Sequence, residues 1–303
     1  MFHLIIAILC SSSIALVFKY SETRNLNRYA VTCTNYAVAS IISMGFLLES
    51  PILTDDIRRG LLLLPRIIRR ASMFRMQLSE SELTGWAILI GCIAGIFFYL
   101  AFIFYQKSVR HHGVGLAGAF AKLGIFVPMT LSLLLWREIP GITQWVGMGM
   151  AVCAILMSHW PGGNHASTHR SWSLVLLFLL GGAAEFSNKI FQHYGSLSER
   201  PVFLFFTFFL ALILSSLAVF RTGKIHIRDI GTGVLVGIPN LFSSFFLIRA
   251  LVDIPASVAF PVFGAGTIAI ISAVGSIAFG EKLSVKNITV IGLVAVSIIL
   301  VSL

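Results

Sequence analysis

Charge is what this chain has least of. Only 11% of its 303 residues are Asp, Glu, Lys or Arg, against about a quarter in a soluble domain. With 57% hydrophobic residues and a mean hydropathy of +0.92, a water-soluble fold is excluded. Cysteine is scarce too: Cys10, Cys33, Cys92 and Cys153 fall one to each apolar run. None has CxxC spacing, which excludes a disulfide framework and a cysteine zinc site. No Walker motif is present, and no Rossmann fingerprint in its strand–turn–helix setting, so no nucleotide or other cofactor is expected. No signal peptide is expected either. "LIIAILCSSS" (4–13) lacks a basic leader, and bulky Ile8 and Leu9 precede Cys10, so it reads as a retained first helix.

What is present is a series of apolar runs. At about 20 residues per crossing, they divide into ten segments: 2–20, 29–48, 83–106, 113–135, 141–158, 172–192, 202–220, 229–250, 255–279 and 285–302. The expected fold is an all-α integral membrane protein of ten transmembrane helices. The formal charge of +10 then belongs to lipid headgroups and membrane orientation rather than to nucleic acid. Arg58, Arg59, Arg66, Arg69, Arg70 and Arg75 crowd the one long connection, 49–82, where "GLLLLPRIIRRASMFRM" mixes apolar and basic residues as an interfacial segment does. The positive-inside rule puts this loop, and with ten crossings both termini, in the cytoplasm.

The chain also repeats itself. "GCIAGIFFYLAFIF" (91–104) lines up with "GVLVGIPNLFSSFF" (233–246), Glu138 with Glu281, Gly149 with Gly292, and "SSSIALVFK" (11–19) with "GGAAEFSNK" (181–189). The halves are 1–158 and 159–303. Five crossings per half is an odd number, so the second half enters from the opposite side. Inverted repeats of this kind are a transporter design, with substrate bound near the bilayer midplane.

Three stretches carry a family resemblance: "FKYSETRNLNR" (18–28), "DIPASVAFPVFGAGTIAIISAVGSIAFGEKLS" (253–284) and "REIPGITQWVG" (137–147). They resemble the drug/metabolite transporter superfamily, its ten-helix EamA-type members, and the related four-helix small multidrug resistance proteins. The resemblance implies two inverted five-helix repeats around a central cavity lined by the first, third, fourth, sixth, eighth and ninth segments. The small multidrug resistance proteins carry a glutamate eight residues before a first-helix lysine. Here those places hold Ser11, before Lys19, and Gly181, before Lys189, which argues against broad efflux of cations.

Site candidates come from polar groups inside apolar runs, because a charge at mid-bilayer costs about 2.5–3.5 kcal/mol on insertion scales. Lys122 lies about 13 Å into its segment at 1.5 Å per residue, and is expected to line the cavity. Glu185 stands four residues before Lys189, the favourable order for a helical ion pair. Two readings stand for Glu185: half of a self-neutralising pair, or the group that binds a coupling proton or a substrate ammonium. Lys189 is near enough to its segment end to reach the surface. Pro239 interrupts the eighth segment just before Asn240, with Ser243 and Ser244 one turn on, and Phe98, Tyr99 and Phe242 complete the cavity candidates. His165 and His169 have no third ligand, so no metal is expected.

The function expected is secondary transport of a small metabolite or drug by alternating access, in a cell-membrane protein, monomeric or homodimeric. An ion gradient, protons for instance, would supply the energy. An enzyme acting on lipid is the alternative, but no convergent nucleophile or acid–base pair is found. A non-transporting scaffold would leave Lys122 and Glu185 without a purpose.

Overall fold

A computed structural model describes all residues except 25, 53, 72–77, 138, 160–171, 221–224, 280–284 and 303. Among the described residues it contains helices and no strand: α1 (Phe2–Thr23), α2 (Arg28–Leu48), α3 (Thr54–Ala71), α4 (Glu80–Leu123), α5 (Phe126–Trp136), α6 (Ile142–His159), α7 (Trp172–Tyr194), α8 (Arg200–Val219), α9 (Ile227–Asp253), α10 (Ala256–Phe279) and α11 (Val285–Ser302). Five described stretches are long and apolar enough to cross a membrane: Arg28–Leu48, Ser81–Tyr105, Trp172–Tyr194, Leu197–Val219 and Ile227–Asp253. This is an all-helical membrane protein.

One boundary differs from the sequence reading. The polar stretch 107–112, taken there as a connection between the third and fourth crossings, is helical backbone within the 44-residue α4. Lys and Arg are good helix formers, and neither glycine nor proline falls within 107–112. Helix α4 ends at Leu123, before the turn at Gly124–Ile125, so Lys122 occupies its last turn. At 11 residues, α5 is about 16 Å long, half of a hydrocarbon core. It ends on Arg137 in the left-handed conformation, φ 51°.

The chain forms two compact units, each drawn from both sequence halves. One comprises Met1–Leu16, Leu100–Phe186 and Ala250–Leu303, the other Val17–Tyr99 and Ser187–Arg249. Helices α1, α4, α7 and α9 each begin in one unit and end in the other.

In the unit holding Ser187–Arg249, α2 packs along α8, and two glycine pairs let further helices approach closely. A Cβ on Gly91 of α4 would lie 2.7 Å from the Phe203 carbonyl oxygen of α8, and one on Gly95 would lie 2.5 Å from that of Thr207. Likewise a Cβ on Gly233 of α9 would lie 2.7 Å from the Val31 oxygen of α2, and one on Gly237 2.7 Å from that of Asn35. Small residues four apart permit this backbone-to-backbone packing where no water drives helices together. Helix α3 lays Gly60 and buried Ile67 against Gly85 of α4, with Arg58, Arg59, Arg66 and Arg69 exposed.

The ends of α2 and α9 are tied by one carboxylate. Asp229, 1% exposed, accepts from the His226 backbone N–H at 2.8 Å, closing the first turn of α9, and from the Asn27 N–H at 3.0 Å. Asn27 in turn caps α2 by accepting from the Tyr29 and Ala30 amides. Asp229→Ala leaves two amides without an acceptor. It should cost about 2 kcal/mol, more than a single exposed cap, read as a lowered melting temperature in detergent. Asp229→Asn should retain most of that loss.

In the other unit, α6 packs along α11, and α10 packs on α5, α6 and α11. Ser297 of α11 donates its hydroxyl to the Gly147 carbonyl at 2.7 Å. Ser12 of α1 donates to the Thr267 carbonyl of α10 at 3.4 Å, and Gly266 faces Ile8 so closely that a Cβ would lie 2.8 Å from its Cδ1.

Candidate functional site

The intramembrane residues singled out by the sequence divide between the units. Lys122 and Glu185 belong to the unit containing Leu100–Phe186; Lys189, Asn240, Ser243, Ser244, Phe98, Tyr99 and Phe242 belong to the other.

Lys122 and Glu185 flank a close helix approach on opposite sides: Ala121 packs against Leu177 of α7, whereas Phe186, next to Glu185, packs against Trp136 at the far end of α5. The α4–α5 break touches α7 backbone to backbone: a Cβ on Gly124 would lie 2.9 Å from the Phe178 oxygen and 3.1 Å from the Gly182 nitrogen, and one on Gly182 2.5 Å from the Gly124 oxygen. Lys122 precedes Gly124 by two residues, and Glu185 follows Gly182 by three. Glu185 is half-buried; the Lys122 side chain lies outside the described residues. Nearby, Trp136 packs its ring 5.6 Å from Phe186.

Lys189 differs from its expectation. The sequence lets it reach the membrane surface, yet it is 3% exposed, and its Nζ donates to Gln192 Oε1 at 2.9 Å, one turn further along α7. Asn188 beside it is 1% exposed. Satisfied by an amide, the ammonium stays inside rather than extending to headgroups.

Asn240, just past Pro239, donates its Nδ2–H to Asn35 Oδ1 at 3.0 Å, linking α9 to α2. Ser243 and Ser244 are buried on the following turn. Phe242 does not join them, because residues two apart leave a helix on opposite sides. Its ring lies 6.2 Å from Phe46 and 6.1 Å from Phe246. Phe98 packs 6.4 Å from Phe208, which stands 6.4 Å from Tyr36, and Tyr99 is partly buried in the same cluster. Glu138, Glu281, His165 and His169 lie outside the described residues.

Sequence reasoning weighed ions and overlooked the amides: Asn35, Asn188 and Gln192 are the groups that satisfy or flank the chosen residues. The available signal was Asn35 in the middle of the run 29–48, where a polar side chain must find a partner on another helix. Asn240→Leu should therefore cost about 1–3 kcal/mol by orphaning Asn35. Asn35→Leu with Asn240→Leu should recover part of that loss, a double-mutant cycle read by thermal melting.

Part of this chain is similar to a transport protein. Residues 204–294, from α8 into α11, match the family described as Small Multidrug Resistance protein. The match includes 253–284 and leaves out 18–28. Over 292 residues the chain is 23% identical to an uncharacterized protein of Haemophilus influenzae, a match covering 95% of this chain and 92% of that one. A solved structure described as "Crystal structure of protein" shares the fold, with a TM-score of 0.68 at 15% identity, covering 99% of this chain and 96% of that one.

Proposed function

We propose that this protein is a ten-crossing secondary transporter of a small metabolite or drug, an EamA-type member of the drug/metabolite transporter superfamily built from two inverted halves that alternate access to a central cavity. The observation carrying this reading is the break after α4, where Gly124 packs on Gly182 of α7 with Lys122 two residues before it and Glu185 three residues beyond Gly182, one charge on each side of the crossing. Intramembrane ions of opposite charge at a break between helices mark ion and substrate paths. The similarity to the small multidrug resistance family supports transport as the activity.

The inverted repeat is supported by the glycine contacts. Gly91 and Gly95 rest on α8, while their aligned counterparts Gly233 and Gly237 rest on α2. Each half thus lays its third crossing on the second crossing of the other, in the same register of four. Such reciprocity is what a two-fold relation between halves requires.

A lysine suits a carboxylate or phosphate and a glutamate suits an ammonium, so a zwitterion such as an amino acid satisfies both. Glu185 is the candidate for proton coupling. The arginines around α3 put that helix, and both termini, on the cytoplasmic side.

The test is flux. Purified protein in liposomes, with and without an imposed pH gradient, is supplied with labelled amino acids and, separately, with ethidium as a cationic drug. Uptake of an amino acid above protein-free liposomes, enhanced by the gradient, is expected. Flux of ethidium alone would overturn the substrate assignment, and no flux of any compound would overturn transport itself.

A further inference from the structure

We infer that Arg200 and Arg249, with the ring of Phe245 between their helices, form an oxyanion-binding site for a carboxylate or phosphate group attached to an apolar body. All three belong to the unit containing Ser187–Arg249. Arg200 opens α8, and its guanidinium carbon lies 3.5 Å from the centroid of Phe245 on α9. That is a stacked cation–π arrangement, which fixes the plane of the guanidinium and leaves its edge available for a forked pair of hydrogen bonds. Arg249 follows Phe245 by four residues, so both point from one face of α9, and its charge is close enough to act on that of Arg200.

Two like charges in a half-buried setting repel and lose hydration, so such a pair is unfavourable without an anion to share. Among the described residues neither guanidinium forms an ion pair with a carboxylate, and Arg200 Nε is buried without a hydrogen-bond acceptor. Although Glu199 adjoins Arg200 in sequence, its electrostatic neighbours are Thr84 of α4 and Asp56 of α3. The surroundings are otherwise aromatic. Phe46 of α2 packs 5.7 Å from Phe245, and Phe242 and Phe246 lie 6.2 and 5.3 Å from it. A carboxylate or phosphate bound in the fork through two of its oxygens would place its organic substituent against these rings. Carboxylates and phosphates are the groups whose paired oxygens match guanidinium geometry.

The same chemistry is offered by a soluble organic anion and by an anionic lipid headgroup. Two arms separate the sources. In neutral detergent, phenyl phosphate and benzoate are titrated against the purified protein, with chloride at equal ionic strength as reference. In parallel, the protein is placed in phosphatidylcholine nanodiscs with and without phosphatidylglycerol. Melting temperature and Kd are read in each.

A rise in melting temperature above the chloride reference is expected, with Arg200→Gln and Arg249→Gln each weakening binding at least tenfold. Without any anion, Arg249→Gln should melt no lower than wild type, since it removes the repulsion. A response to phenyl phosphate or benzoate in detergent assigns a soluble anion; a response to phosphatidylglycerol alone assigns a headgroup. No response in either arm, or variants that keep the wild-type Kd, would overturn the site. If Arg200→Gln does not fold, half-exposed Arg249 decides the question alone. Because the readout is equilibrium binding, its failure leaves the flux result untouched, and the converse also holds.

Discussion

Lys122→Met and Glu185→Gln should each reduce substrate flux by about thirtyfold or more while leaving a folded protein. Truncating a charged group that holds an opposite charge on its ligand costs about 2–5 kcal/mol of binding, much of it the penalty of stranding the other charge. The two residues flank the Gly124–Gly182 crossing on opposite sides, and a substrate whose two ends they hold would couple them, so the double substitution should lose less than the sum of the single losses. Residues that act as a unit are non-additive in this way. Glu185→Gln has a further signature: if Glu185 carries the coupling proton, the variant's residual flux should be the same with and without a pH gradient. Flux unchanged in both variants would make the pair purely structural. A melting temperature close to wild type, measured alongside, separates loss of function from loss of fold.

The second large effect concerns packing. Gly95→Ala and Gly237→Ala should each destabilise the protein by about 1–3 kcal/mol, the usual cost of overfilling a packed contact. They belong at the upper end, because the atoms met are the Thr207 and Asn35 carbonyl oxygens, and backbone cannot swing aside as a side-chain tip can. Valine at either position should prevent accumulation of folded protein. Gly149→Ala is the control. Nothing lies within 4 Å of a Cβ there, and alanine is favoured over glycine inside a helix by up to about 1 kcal/mol. Near-equal losses at 95 and 237 would support the two-fold relation of the halves; a large loss at one and none at the other would contradict it.

The apolar helices were largely legible because the bilayer imposes a strict rule. Backbone polar groups must be satisfied within each crossing, so long apolar runs become helices. Ten of the eleven α-helices among the described residues overlap the ten expected segments, and the remaining one, α3, is the basic segment read as interfacial. The polar run 107–112 was read as a connection because charge looks like an exit from the membrane, whereas the backbone stays helical through it. The candidate site was less legible. Asn35 and Asn240 are 205 residues apart, and Arg200 and Arg249 sit near the ends of different helices, where each alone looks solvated. Charge and hydropathy are properties of one residue, but a partner is a property of the fold. Only the spacing of Gly91, Gly95, Gly233 and Gly237 carried such long-range information in the sequence, since a glycine pair implies a close neighbour even when it cannot name one.

The division of helices between units also sets an order of assembly. The unit holding Ser187–Arg249 has all of its residues once Arg249 has been synthesised, with α10 and α11 still to come. The other must bring Met1–Leu16 onto helices made last: Ser12 and Thr267 are 255 residues apart. At synthesis rates of about 5–20 residues per second, the Ile8–Ser12 face of α1 waits roughly 13–50 s for its partner, already in lipid with a polar hydroxyl turned toward helices that do not yet exist. That hydroxyl is covered meanwhile by its own helix, through the 2.7 Å bond from Ser12 to the Ile8 carbonyl, which makes the first helix stable company for a bilayer until the last ones arrive.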